Sequence, residues 1–278
     1  SIVVNINVIM YFATQVINET YTRYGIEIGI PADYTGRINM KNEFLLETLM
    51  VTEGKKHYAS IVLMQEGNIF KEPKIDIKGL AIKKSNTNPN VRSTFTSILE
   101  NEILKPKEVN VSKIINKYRT FEEDIKTSLE RGETTYALRG SVNSPLSYDR
   151  PLSIKGVRGV LLWNKLFPSE EITFPAKINM VNLLITPDIL EASPLTEEEK
   201  APLRQILNNP SMTVGNEITV LALPREKTQV PKQFLPFIDS VTTVAANLSP
   251  GMPILNSAGG TILSSQGGLA LSSNIVKM

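Results

Sequence analysis

Residues 56–82 constrain the fold more than any other part of this chain. Residues 56–64 and 74–82 are rich in β-branched and apolar side chains, and Glu66-Gly67-Asn68 between them supplies the turn chemistry of a tight reversal. The segment predicts two strands running back on each other. Cations gather at both free ends: Lys55 and Lys56 beside His57 and Tyr58 at the start, then Lys78, Lys83 and Lys84 at the close. A chain that spends this many charges on one hairpin must keep that hairpin at a surface.

The rest of the pattern places the hairpin in an α+β fold. Residues 1–7, β-branched and largely apolar, read as a strand. Residues 8–24 read as a helix, with Ile9, Phe12, Val16 and Ile17 at helical spacing and Gly25 as its stop. Residues 42–51 form a short apolar run that fits either strand or helix. After Thr87 the character changes. Residues 90–104 and 112–129 are helical, the second with Ile114, Ile115, Tyr118, Phe121 and Ile125 on one stripe, and Pro106 separates them. Pro145 and Pro151 frame a turn before a basic helix over 153–167. Residues 172–185 and 218–223 read as strands around an acidic helix at 197–207. Beyond Pro250 the sequence thins to Gly, Ser and Ala, which predicts a flexible tail.

With 278 residues, 41% hydrophobic and 21% charged, the composition is that of a soluble globular protein. No apolar run approaches the roughly 20 residues that span a bilayer, so no membrane partner is expected. Cysteine is absent, which excludes disulfides and thiolate metal sites and fits a reducing cytoplasm. The single histidine, His57, argues against a serine–histidine triad or a histidine-rich metal site. The net charge of +2 hides an asymmetry: residues 55–165 hold 20 Lys and Arg against 12 Asp and Glu, and the flanks reverse this with 10 against 16. One segment is therefore a candidate polyanion surface.

Lys55-Lys56-His57-Tyr58 suits gripping a duplex from its minor-groove side. The acceptors there are nearly the same for every correct pair, so lysines can donate to them without reading sequence, while a tyrosine packs on sugar. Taken alone, these four residues fit an ordinary strand with exposed lysines and a half-buried Tyr58 better. The order of elements adds a second argument. Lys56-His57-Tyr58, then Lys78-Gly79 with Lys83-Lys84, then a helix, then Lys155-Gly-Val-Arg158 leading to Trp163-Asn-Lys165, resembles the palm-to-thumb region of family B DNA polymerases of viral and phage type. The resemblance covers about residues 1–185, and its main departure is His57, where many relatives carry another basic residue.

The resemblance implies the remainder of a palm over residues 1–70, strands plus helix. It implies a mainly helical, duplex-binding thumb with a small β element over 71–240, and a C-terminal extension or flexible tail over 241–278. It implies that Lys56 and Tyr58 meet the primer terminus with Lys55 in support, and that Lys78, Lys83, Lys84, Lys155, Arg158 and Lys165 bind duplex phosphates. It also implies Mg²⁺ held by aspartates of two palm motifs, the second of which ends in Asp-Thr-Asp-Ser before an apolar strand. Ser1-Ile-Val-Val-Asn-Ile6 resembles that serine and strand. A chain divided within the motif is therefore expected, with a separate N-terminal part carrying exonuclease, fingers and catalytic palm, and an unpaired β-edge at residues 2–6 that demands it. No catalytic or metal-binding residue is expected here. The alternative is a non-catalytic DNA-binding or processivity accessory; a structural viral protein is the third reading. A sliding-clamp contact through the C-terminus is not favoured, because residues 272–278 lack an aromatic pair.

Overall fold

The computed structural model describes residues 2–53, 55–258 and the backbone of 275–277. It is α+β, with helices set around two small antiparallel sheets. The chain opens on a long helix, α1 (Ile2–Glu27), which corrects the strand expected over residues 1–7. A strand there would need a neighbour for its backbone N–H and C=O groups; a helix satisfies them internally, and this outweighs the β preference of Ile2, Val3, Val4 and Ile6. The unpaired β-edge falls with the strand.

In its place stands an apolar rod. Only Gly25 of α1 is buried, against a turn of helix, α2 (Ala32–Thr35), whose Thr35 methyl sits where a Gly25 Cβ would meet it at 3.2 Å. Ile2, Ile9, Phe12 and Val16 are 78, 65, 63 and 62% exposed. By length and composition this one helix is apolar enough to cross a membrane, which the sequence reading missed because Asn5, Asn7 and Asn18 break every apolar run. Asn18 ties α1 to the next segment: its side chain accepts from the Met40 amide at 2.7 Å and donates to the Met40 carbonyl at 3.0 Å.

The first sheet contains β1 (Phe44–Val51), β2 (Tyr58–Gln65) and β3 (Asn68–Lys78), all antiparallel. Residues 42–51 thus resolve as strand. The β2–β3 reversal uses Glu66 and Gly67, both at positive φ (48° and 82°), the conformation that matches strand twist in a two-residue hairpin. A short strand, Ile275–Lys277, pairs antiparallel with the free edge of β1. That pairing lies in what was expected to be tail; residues 259–274 of the expected tail lie outside the described residues.

The inner face of this sheet (Met50, Ala59, Ile61, Ile77) packs on α3 (Pro89–Ile98) and α4 (Val111–Glu130). Asn88 caps α3, accepting from the Asn90 amide and donating to the Thr135 and Ala137 carbonyls. Helix α3 does not run straight to Leu104 as expected. It widens into a π-type turn over Leu99–Leu104, which buries Glu102. That carboxylate is met by Lys113 at 2.8 Å and Lys117 at 2.7 Å, whose hydrogen bonds hold it below the usual carboxylate range. Its stabilising effect is complete above the ordinary carboxylate pKa and fades as pH falls through the depressed folded value. Glu102→Gln is expected to lower stability by about 1–2 kcal/mol near neutral pH, with the deficit shrinking on acidification. Thermal unfolding across pH measures it.

The second sheet, β4 (Leu138–Val142), β5 (Ala176–Ile185) and β6 (Ile218–Pro224), packs on α5 (Lys155–Leu166), with α6 (Pro187–Ala192) and α7 (Glu197–Leu207) completing a separate core around Trp163 and Phe234. The last helices, α8 (Ser240–Leu248) and α9 (Met252–Ser257), return to the first core. Val244, Ile254 and Leu255 are buried there, so the extension begins as packed helix rather than as tail. Gly251 between them lies against the Phe95 ring, which leaves no room for a Cβ, and its carbonyl accepts from the Tyr118 hydroxyl at 2.5 Å.

Candidate nucleic-acid interface

The hairpin brings its two basic ends together. In the β2–β3 ladder Tyr58 stands directly opposite Lys78, and Val51 of β1 flanks Tyr58 on its other side. Alternation sends Ala59 and Ile77 into the core and leaves Tyr58 half-buried and Lys78 exposed on the outer face. The Lys78 ammonium lies 5.7 Å from the Tyr58 ring centroid and 5.5 Å from that of Phe44. The Tyr58 hydroxyl, and less strongly Asp76 and Glu43, hold it above the usual lysine range, so it stays cationic.

The connection before Tyr58 is closed by Thr52, whose amide donates to the His57 carbonyl at 3.1 Å. Lys56 sits at φ 60°, a left-handed conformation that costs a non-glycine residue about 1 kcal/mol, and it keeps its side chain exposed. His57 then folds over Gly79, at φ 72°: a Cβ on Gly79 would come within 2.1 Å of the imidazole. Lys55-Lys56 and Lys78-Gly79 therefore form one surface because position 79 has no side chain. Gly79→Ala is expected to cost about 2 kcal/mol or more through φ strain and displacement of His57, and to weaken duplex binding with it. Unfolding and duplex titration of the variant test this together.

Lys83 and Lys84 follow on an exposed loop whose shape Arg92 sets, donating to the Ile82 carbonyl at 3.1 Å and the Lys84 carbonyl at 2.7 Å. Among the described residues Lys55, Lys56, Lys83, Lys84 and Lys165 make no ion pair and are exposed. The expected thumb residues divide. Lys165 is free in the last turn of α5. Arg158 is turned inward, 8% exposed, and donates to the Leu152 carbonyl at 2.6 Å. Lys155 is half-buried and donates to Asn182 Oδ1; burial and Arg158 nearby push its ammonium down. These two side chains are already used in holding α5 to its surroundings. Two contributors escaped the sequence reading. Arg92 shapes the lysine loop from a helix position that carries no motif. Asp76, whose Oδ2 accepts from the Tyr58 hydroxyl at 3.2 Å, stands two residues before Lys78, the strand spacing that puts both on one face.

A surface of unpaired lysines around an aromatic edge is chemically a polyanion grip. The family model of the divergent family B DNA polymerases matches residues 2–267. The chain belongs to that family. Its function is accordingly related to DNA polymerase, and its class is that of the polymerase enzymes. A search of curated proteins returns no match. Family B polymerases use divalent metal ions, held by clustered oxygen ligands. Among the described residues no three Asp, Glu or His side chains gather into such a cluster.

Proposed function

We propose that this chain grips the primer–template duplex for a DNA polymerase whose Mg²⁺-binding aspartates come from other polymerase parts, with Lys55, Lys56 and Tyr58 at the primer terminus and Lys78, Lys83, Lys84 and Lys165 on duplex phosphates. The observation that carries this reading is the ladder pairing of Tyr58 with Lys78, with free lysines at both ends of the same hairpin. Lys155 and Arg158 belong to the reading as supports of α5 more than as phosphate ligands, given their internal hydrogen bonds.

Helix α1 is where those other parts pack. An apolar helix with so little of its surface covered is the signature of an element made for a larger interior. The alternative of a free-standing accessory protein is less favoured for that reason, since a monomer gains nothing from exposing Ile2, Ile9, Phe12 and Val16. A membrane role for α1 is not part of this reading.

Primer extension with Mg²⁺ tests it, run on the chain alone and on the complex purified with it. Duplex binding by both and extension by the complex only is the expected result. Extension by neither, with duplex binding retained, would move the assignment to the accessory protein. Extension by the isolated chain would refute the placement of the aspartates elsewhere.

A further inference from the structure

Tyr58 has a partner that the duplex-gripping reading does not use. Its hydroxyl lies 3.2 Å from Asp76 Oδ2, one row along β3 from Lys78. Ser60 stands directly across the ladder from Asp76, yet its buried Oγ makes no hydrogen bond. Among the described residues Asp76 forms no ion pair within 4.0 Å, so the side-chain hydrogen bond it makes is the one from Tyr58.

A carboxylate on a face turned toward phosphates lowers affinity for them. Its presence calls for a compensating role, and the geometry supplies one. A pocket of about 210 Å³, lined in part by Phe44, Leu46, Val51, Ser60 and Asp76, opens beside the Tyr58 ring. One side of the ring thus faces open space, and the hydroxyl's hydrogen bond to Asp76 anchors it. A phenol has one proton. With that proton directed to Asp76, the Tyr58 oxygen turns only lone pairs outward, and the neighbouring donor is the Lys78 ammonium across the ladder.

We propose that Asp76 is a positioning residue: it fixes the Tyr58 ring and hydroxyl so that ring and Lys78 ammonium together meet the sugar and minor-groove acceptors of the primer-terminal pair. This inference rests on the duplex-gripping reading. It makes the terminus, rather than the duplex as a whole, the object that Asp76 serves.

The test uses the assembled polymerase containing this chain, a matched primer–template, and a blunt duplex of the same length. Asp76→Ala removes a negative charge, so an ordinary surface carboxylate would give equal or tighter duplex binding and normal extension. A positioning residue gives equal or tighter blunt-duplex binding together with a loss of roughly three- to tenfold in extension efficiency at limiting primer–template. Asp76→Asn keeps an acceptor oxygen and should restore most of that loss. Tyr58→Phe should reproduce it, and the Asp76→Ala, Tyr58→Phe double variant should lose no more than either alone. If Asp76→Ala lowers the unfolding temperature, Tyr58→Phe and Asp76→Asn carry the same comparison with packing preserved. Unchanged extension by Asp76→Ala while Tyr58→Phe is slow, or losses that multiply, would overturn the positioning role and leave the grip intact. Full extension by both Tyr58→Ala and Lys78→Ala would instead remove the reading on which it rests.

Discussion

Tyr58→Ala in the assembled polymerase is expected to lower extension efficiency at limiting primer–template by roughly 10- to 100-fold, the usual consequence of truncating a central aromatic anchor. The structure separates this effect from folding. Tyr58 stands on the outer face between Val51 and Lys78, and the neighbours that alternate with it, Ala59 and Ile77, carry the core contacts. Helix α1, proposed to hold the polymerase together, is a different element. Co-purification and thermal unfolding should therefore stay near those of the parent while extension falls. The loss should concentrate in the dependence on primer–template concentration and spare the maximal rate at saturation. Unchanged extension at limiting DNA would remove Tyr58 from the primer terminus.

What the sequence revealed of the fold was wherever local chemistry and tertiary context agree. The β2–β3 turn was legible because Glu66-Gly67 can adopt positive φ, but the second strand was placed late. It starts at Asn68, directly after the turn, and ends at Lys78, where Gly79 at φ 72° turns the chain into a helical turn over Ala81–Lys83 instead of a strand to residue 82. Helix α7 was legible to the residue because its start carries a complete capping box, Thr196 with Glu199, the last of three glutamates in its first turn. Strand β4 was not: Leu-Arg-Gly-Ser-Val has no strand signature, and it is extended because β5 offers it five paired positions. Helices α8 and α9 lie in the stretch expected as C-terminal extension or flexible tail. They form because Asp239 caps the first, accepting from the Thr242 amide, and because Val244, Ile254 and Leu255 find the core. The misreading of residues 2–6 has the opposite cause, a true β preference with no strand beside it to pair.

The same division governs the site. Residue type and spacing nominate the lysines, but exposure is set by tertiary packing. Helix α5 is buried over most of its surface, with Gly156 and Gly159 pressed against β4, β5 and β6, so its cations at 155 and 158 turn to internal acceptors and Lys165 alone reaches solvent fully. Two of the three cations of this basic helix are thus engaged within the fold. Asp76 shows the reverse case. Nothing in the sequence singles it out, and only the ladder register places its carboxylate beside the Tyr58 hydroxyl.

Lys83→Ala combined with Lys84→Ala should act in a different way from Tyr58→Ala, through salt dependence. Both lysines are exposed and unpaired among the described residues, on a loop whose backbone is held by Arg92 and therefore survives their truncation. Each phosphate neutralised releases condensed counterions and contributes about 0.9 to the slope of log affinity against log salt. Losing two such contacts should lower duplex affinity roughly 30-fold near physiological salt and flatten the slope by about two. The deficit should be the same for matched termini, mismatched termini and blunt duplex, and it should vanish toward molar salt, where the counterion gain is lost. Titration of a labelled duplex at several salt concentrations measures both quantities at once. An unchanged slope would show that the lysine loop does not touch phosphate, whatever happened to the affinity. A reduced slope with terminus-independent loss would assign the loop to the duplex shaft and leave the terminus to the hairpin, dividing the surface into a part that holds DNA by charge and a part that places its end.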